Sequence, residues 1–151
     1  MAASVVNPIA ELSIPANTEE VRRASAWLEL TCLERGVPPD EISRLDLCLN
    51  EALANVIGHG GTSIRAFPIR LHVDVHRNQT NSEAIVTVSD SGAPFNPLAN
   101  PPKSRPKTLA EAEPGGLGIL MIRKLSDNQS YRYSNGNNQL IFSVRWPKVQ
   151  Q

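Results

Sequence analysis

Six of the chain's twelve prolines fall between residues 91 and 116, in the run SGAPFNPLANPPKSRPKTLAEAEPGG. Proline fixes φ and carries no amide hydrogen, so this run can be neither a helix interior nor a central strand. It is also too long for an ordinary connection in a compact domain, and loops of such length tend to carry function. The fold must therefore be built from the residues on either side, with the Pro-rich loop held between them.

Those flanks read clearly. Ala10, Leu12 and Ile14 alternate with polar residues up to Pro15, the pattern of a short strand. Asn17 or Thr18 can cap a helix with Glu19 and Glu20 in its first turn, whose apolar face of Val21, Ala24, Leu28 and Cys32 runs until Gly36. Pro38, Pro39 and Asp40 punctuate and cap a second helix extending to about residue 57, with Ile42, Leu45, Leu49, Ala52, Leu53 and Val56 inward, stopping at Gly58-His59-Gly60-Gly61. Strict alternation over residues 69–75 and 84–90 predicts two paired strands. Beyond the loop, a third helix is expected from residue 117 to about 125. A hairpin follows, joining Tyr131-Arg132-Tyr133 to residues 140–146 around Asn135-Gly136. The order predicts an α/β (α+β) two-layer sandwich: one mixed, mainly antiparallel sheet with helices on one face.

Composition narrows the function. The 151 residues suit a single domain and one core, and fifteen Lys+Arg balance fifteen Asp+Glu. That neutrality disfavours nucleic acid and anionic membrane as partners. The N-terminal MAASVVNPIAELSIP lacks the positive start and apolar run of a signal peptide, and no stretch approaches the roughly 18 apolar residues of a membrane span, so a soluble, cytoplasmic protein is expected. Cys32 and Cys48 lie on apolar helical faces and read as reduced, buried thiols.

Three motifs carry chemistry. In the second helix Glu51 and Asn55 stand one turn apart, roughly 110° to 150° from the centre of the apolar stripe. Such a pair can serve phosphoryl transfer, the carboxylate taking a proton from an attacking hydroxyl and the amide oxygen ligating a hard cation; taken alone it also fits a solvated helix face. Asp90 shares the parity of Ala84, Val86 and Val88, so its carboxylate faces inward, where an exocyclic amine such as that of adenine could satisfy it. Gly92 would let a flat base approach the backbone. The other reading is a turn in which Asp90 binds only its own backbone. Finally, Pro114-Gly115-Gly116-Leu117-Gly118-Ile119 places glycines at a loop-to-helix junction suited to wrapping phosphate, though glycines also begin helices for steric reasons. It matches neither G-x-x-x-x-G-K-[ST] nor G-x-G-x-x-G.

In order and spacing, E-A-x-x-N-x-x-x-H, then D-x-G-x-x-F, then a Pro-rich loop closing on G-G-L-G-I, the chain resembles the ATPase superfamily of gyrase, Hsp chaperones, histidine kinases and MutL, with the Bergerat fold. Within it, the short length and the forms D-S-G-A-P-F-N-P and G-G-L-G-I-L-M-I-R-K-L-S-D look most like the anti-sigma-factor serine/threonine kinases related to RsbW. The resemblance implies Glu51 as general base, Asn55 as the ligand of Mg²⁺ on ATP, and Asp90 on the adenine amine. Gly92 would shape the base pocket, and Gly115, Gly116, Leu117 and Gly118 would lie along the phosphates. Residues 93–116 would form the ATP lid, with Arg105, flanked by Lys103 and Lys107, reaching for the γ-phosphate. It further implies a partner-switching kinase that binds a regulatory target such as a sigma factor and phosphorylates an antagonist (anti-anti-sigma) protein, and a homodimer. A non-catalytic ATP-gated interaction module and a stand-alone ATPase are the alternatives. Pro94 replaces a glycine that many relatives carry, and Val56 an alanine. His59 fits the family pattern, but a helix-end histidine bonded to backbone is the favoured reading over one with a catalytic part.

One rival constellation exists. His72, Asp74 and His76 alternate on one strand face, a zinc-like set of residue types. That face is the polar one, and no fourth ligand can be assigned, so a solvated or partner-facing sheet surface is expected there.

Overall fold

The computed structural model describes residues 8–59, 67–99 and 116–148. Strand β1 (Ala10–Ile14) leads through a single 3-10 turn, Thr18–Glu20, into helix α1 (Val21–Glu34). The turn is capped by Asn17, whose Oδ1 accepts the Glu20 amide at 3.2 Å. Helix α2 (Pro39–His59) follows, then strands β2 (Ile69–Arg77) and β3 (Asn81–Asp90), helix α3 (Gly116–Leu125), and strands β4 (Asn128–Ser134) and β5 (Asn137–Pro147).

The sheet runs β1-β2-β3-β5-β4. All four pairings are antiparallel, so the expected mixed sheet is corrected to an antiparallel one among the described residues. The reason lies in the connections. A three-residue turn joins β2 to β3 and Asn135-Gly136 joins β4 to β5, and links this short reverse the chain. In the first, Asn78 Oδ1 accepts from the amides of Thr80 (3.0 Å) and Asn81 (2.8 Å). In the second, Asn135 (φ 53°) and Gly136 (φ 78°) both take the left-handed conformation that a tight hairpin of matching twist requires.

Register then stacks one apolar face. Leu12 lies opposite Leu71, Leu71 opposite Val88, and Val88 opposite Leu140. Val86 pairs with Phe142 and Ala84 with Val144. Together with Leu28, Cys32, Leu45, Leu49, Leu53 and Ile122 of the helices, these residues form the core. Arg44 ties the helix layer together: its Nη1 donates to Leu125 O at the end of α3 (2.9 Å), and Nη2 lies 3.7 Å from Glu41 and 3.6 Å from Asp127. The chain passes from α3 back to the sheet where Asp127 N donates to Ser143 O at 2.7 Å.

The opposite sheet face is polar. His72 Nε2 stands 3.6 Å from Glu11, and His76 Nε2 2.7 Å from Asp74. The three β2 residues do share that face, but among the described residues no group of three or more histidine, cysteine or acidic side chains is placed to hold a metal ion. Cys32 and Cys48 are both free and buried. Among the described residues no helix is long and apolar enough to cross a membrane.

Candidate nucleotide-binding site

The inner end of the sheet carries polar residues where the apolar pattern predicts aliphatic ones. Asp90 closes β3 on the core-facing parity, and the register sets it opposite Asn138 at the start of β5. Both are buried, Asp90 at 8% exposure and Asn138 at 5%. From the helix layer α2 presents Asn55, 5% exposed, toward the same end. Between them lies a cleft of about 40 Å³ behind an open mouth, small beside the roughly 300–1,000 Å³ of drug-sized ligand sites, so its lining and not its volume points to a ligand. Ala52, Val56, Val88 and Leu140 give it apolar walls, and Gly92, Phe95 and Pro97 form its rim.

The Asp90 carboxylate is only half used. Oδ1 accepts from the Gly92 amide at 2.9 Å and from Asn138 Nδ2 at 3.0 Å, whereas Oδ2 has no hydrogen bond among the described residues. The turn reading of this motif is realised at one oxygen, which closes on its own backbone, while the other has no donor among the described residues. Asn55 Nδ2 is buried with no hydrogen-bond partner among the described residues. An orphaned buried amide costs about 1–3 kcal/mol, which a ligand that fills the cleft can recover. The amide group offers an oxygen suited to a hard cation and an N–H suited to a phosphate oxygen, while the flat apolar walls and the spare Asp90 oxygen suit a purine bearing an amine. The residues present thus fit both adenine and Mg²⁺.

Sequence expectation placed Glu51 and Asn55 together on a face the core does not use. The structure separates their environments: Asn55 is buried and lines the cleft together with Asp90, Gly92, Ala93, Phe95 and Pro97, while half-buried Glu51 stands one turn away outside the cleft lining. Helix α2 runs to His59, within the anticipated stop at Gly58-His59-Gly60-Gly61. Gly116, Leu117 and Gly118 form the first residues of α3, placing a helix N-terminus in the glycine motif. Arg105, Lys103, Lys107 and Gly115 lie outside the described residues, as does most of the 93–116 segment.

Residues 93–99 are anchored, however. Asn138 Nδ2 also donates to Gly92 O (3.2 Å) and Ala93 O (3.0 Å), and its Oδ1 accepts from Phe95 N at 2.9 Å. The Leu98 amide donates to Asn96 Oδ1 at 2.9 Å, and Arg123 of α3 donates to Leu98 O. Asn138 and Arg123 were not among the residues singled out from the sequence. The signal for Asn138 was available: it has the parity of Leu140, Phe142, Val144 and Trp146, the argument that marks Asp90. Nothing local in the sequence marks Arg123.

Comparison with known proteins agrees with this geometry. Residues 14–144 match the histidine kinase-like ATPase domain family. The serine/threonine-protein kinase BtrW of Bordetella bronchiseptica is 33% identical over 135 residues, covering 88% of this chain and 89% of that protein. A crystal structure of the RsbU and RsbW domains of Rv1364c from Mycobacterium tuberculosis superposes with a TM-score of 0.64 at 15% identity, covering 95% of this chain and 34% of that longer one. Its likeness is one of fold. With a cleft whose unsatisfied groups suit an adenine nucleotide and a family match that spans nearly all of the described elements, the chain belongs to the histidine kinase-like ATPase domain family and is a relative of the kinase BtrW.

Proposed function

We propose that this protein is an ATP-dependent serine/threonine kinase of the anti-sigma type, which binds a regulatory target such as a sigma factor and phosphorylates an antagonist protein on serine in a partner-switching pathway. The observation that carries the reading is the pair of unsatisfied groups in one cleft, Asn55 Nδ2 and Asp90 Oδ2. Likeness to BtrW supports the kinase assignment over ATP binding alone.

Bound Mg-ATP would supply the γ-phosphoryl group and the charge neutralisation for its transfer. Asp90 would orient the base through its amine, and Gly92 would keep the backbone beside the ring open. Asn55 would hold the cation with its amide oxygen. Gly115, Gly116, Leu117 and Gly118 would hold the phosphates, and Arg105 would stabilise the γ-phosphate. Glu51 accepts the proton of the attacking serine hydroxyl, a role worth about 10²- to 10⁴-fold in rate.

Mg-ATP at about 100 times its Kd raises the Tm by roughly 5–10 °C, and Asn55→Ala or Asp90→Ala abolishes the shift. Glu51→Ala retains the shift but transfers phosphate to the antagonist about 10²- to 10⁴-fold more slowly, read by intact mass. The absence of any shift in the wild type rules the site out. Binding without transfer to any antagonist leaves an ATP-gated interaction module, and phosphate release indifferent to partners leaves a stand-alone ATPase.

A further inference from the structure

Asn138 has every atom of its amide committed. Its orientation is dictated by its neighbours, because Nδ2 meets three acceptors, Asp90 Oδ1, Gly92 O and Ala93 O, and Oδ1 meets two donors, Phe95 N and the Tyr131 hydroxyl. A flipped amide would set oxygen against three oxygens. The residue is 5% exposed and sits at a fixed register position opposite Asp90, so it has little freedom to give up.

From this we infer that Asn138 is the residue that sets base selectivity, acting through Asp90; the inference rests on the nucleotide reading above. With the Gly92 amide, Asn138 engages Oδ1 of the carboxylate and leaves Oδ2 without a hydrogen bond among the described residues, in a side chain that lines the cleft. An ionised carboxylate oxygen welcomes an exocyclic amine and rejects an exocyclic carbonyl, which leaves two acceptors facing each other. Without Asn138 the carboxylate is free to rotate, and a water or the turn backbone can satisfy either oxygen, so rejection of the oxo-purine weakens. Asn138 touches the turn and Asp90 rather than the reacting atoms, and is a positioning residue.

ATP and ITP differ at the base in that exocyclic group and in the proton that hypoxanthine carries on N1, so the ratio of their dissociation constants reads how the carboxylate discriminates that edge of the purine. Wild type favours ATP by about 10- to 100-fold, the range of one hydrogen bond to a charged group. In Asn138→Ala the ratio falls below about 3-fold. A role in folding alone predicts the contrary: both nucleotides weaken by the same factor, the ratio stays at the wild-type value, and the inference falls while the nucleotide site stands. Failure of wild type to bind either nucleotide overturns the site and this inference together. Asn138→Ser, which leaves a hydroxyl and space for a water, is read by the same ratio if the alanine variant does not fold.

Discussion

Cys32 on α1 and Cys48 on α2 show how burial controls the chemistry of a single side chain. Loss of solvent pushes both thiols up from the usual 9.0 to about 11, against the opposing pull of Arg35 on Cys32 and of Arg44 on Cys48, where Glu51 adds to the rise. Because the thiolate is the reactive form, neither cysteine is alkylated by iodoacetamide at pH 8 in the native protein, and both are once it is unfolded. The sign of the linkage follows from the same shift. Below pH 9 both states keep the proton and the contribution is whole; between about 9 and 11 the unfolded chain ionises first and native stability declines. Urea midpoints should fall across that window, and fall less in Cys32→Ala. At this scale the sequence was informative about which residues face inward, and silent about which polar atoms find partners. Asp90 was identified by strand parity, but the division of labour between its two oxygens depends on Asn138, 48 positions away.

Elements were legible because their signals are local. Helix α1 ends as its glycine requires: Gly36 takes φ 78°, its amide donates to Leu33 O at 3.1 Å, and Val37 N donates to Cys32 O at 3.0 Å. These are the two bonds of a Schellman stop. A Cβ at residue 36 would meet the Arg77 guanidinium, which itself donates to Arg35 O. Gly36→Ala therefore costs about 1–3 kcal/mol from the left-handed backbone, checked by urea denaturation with an unchanged m-value. Gly58 sits one residue before the last residue of α2, in the run where the sequence placed the stop; its φ is not positive, and among the described residues no atom lies within 4 Å of where its Cβ would sit. The turn at residues 78–80 gave no such signal: it contains neither glycine nor proline and is built by the Asn78 side chain.

Across the whole molecule, stability and site depend on the same central strand pair. Phe142 is fully buried on β5, opposite Val86 on β3 and Gln129 on β4. Phe142→Ala removes about 3–5 kcal/mol, a large part of the roughly 5–15 kcal/mol a domain possesses, and should lower the urea midpoint accordingly. The cleft stands at the end of that pair, so the same variant should weaken nucleotide binding through loss of fold. By itself the sequence determined the elements, the inward parity of Asp90, and the order of motifs that marks the family, since each depends on residues near one another in the chain. Only the tertiary structure decided that the sheet is antiparallel throughout, that Asn55 is buried instead of solvated, and that Asn138 holds Asp90. Those facts arise from register and from one layer closing over another, which bring together residues that carry no local mark of their partners.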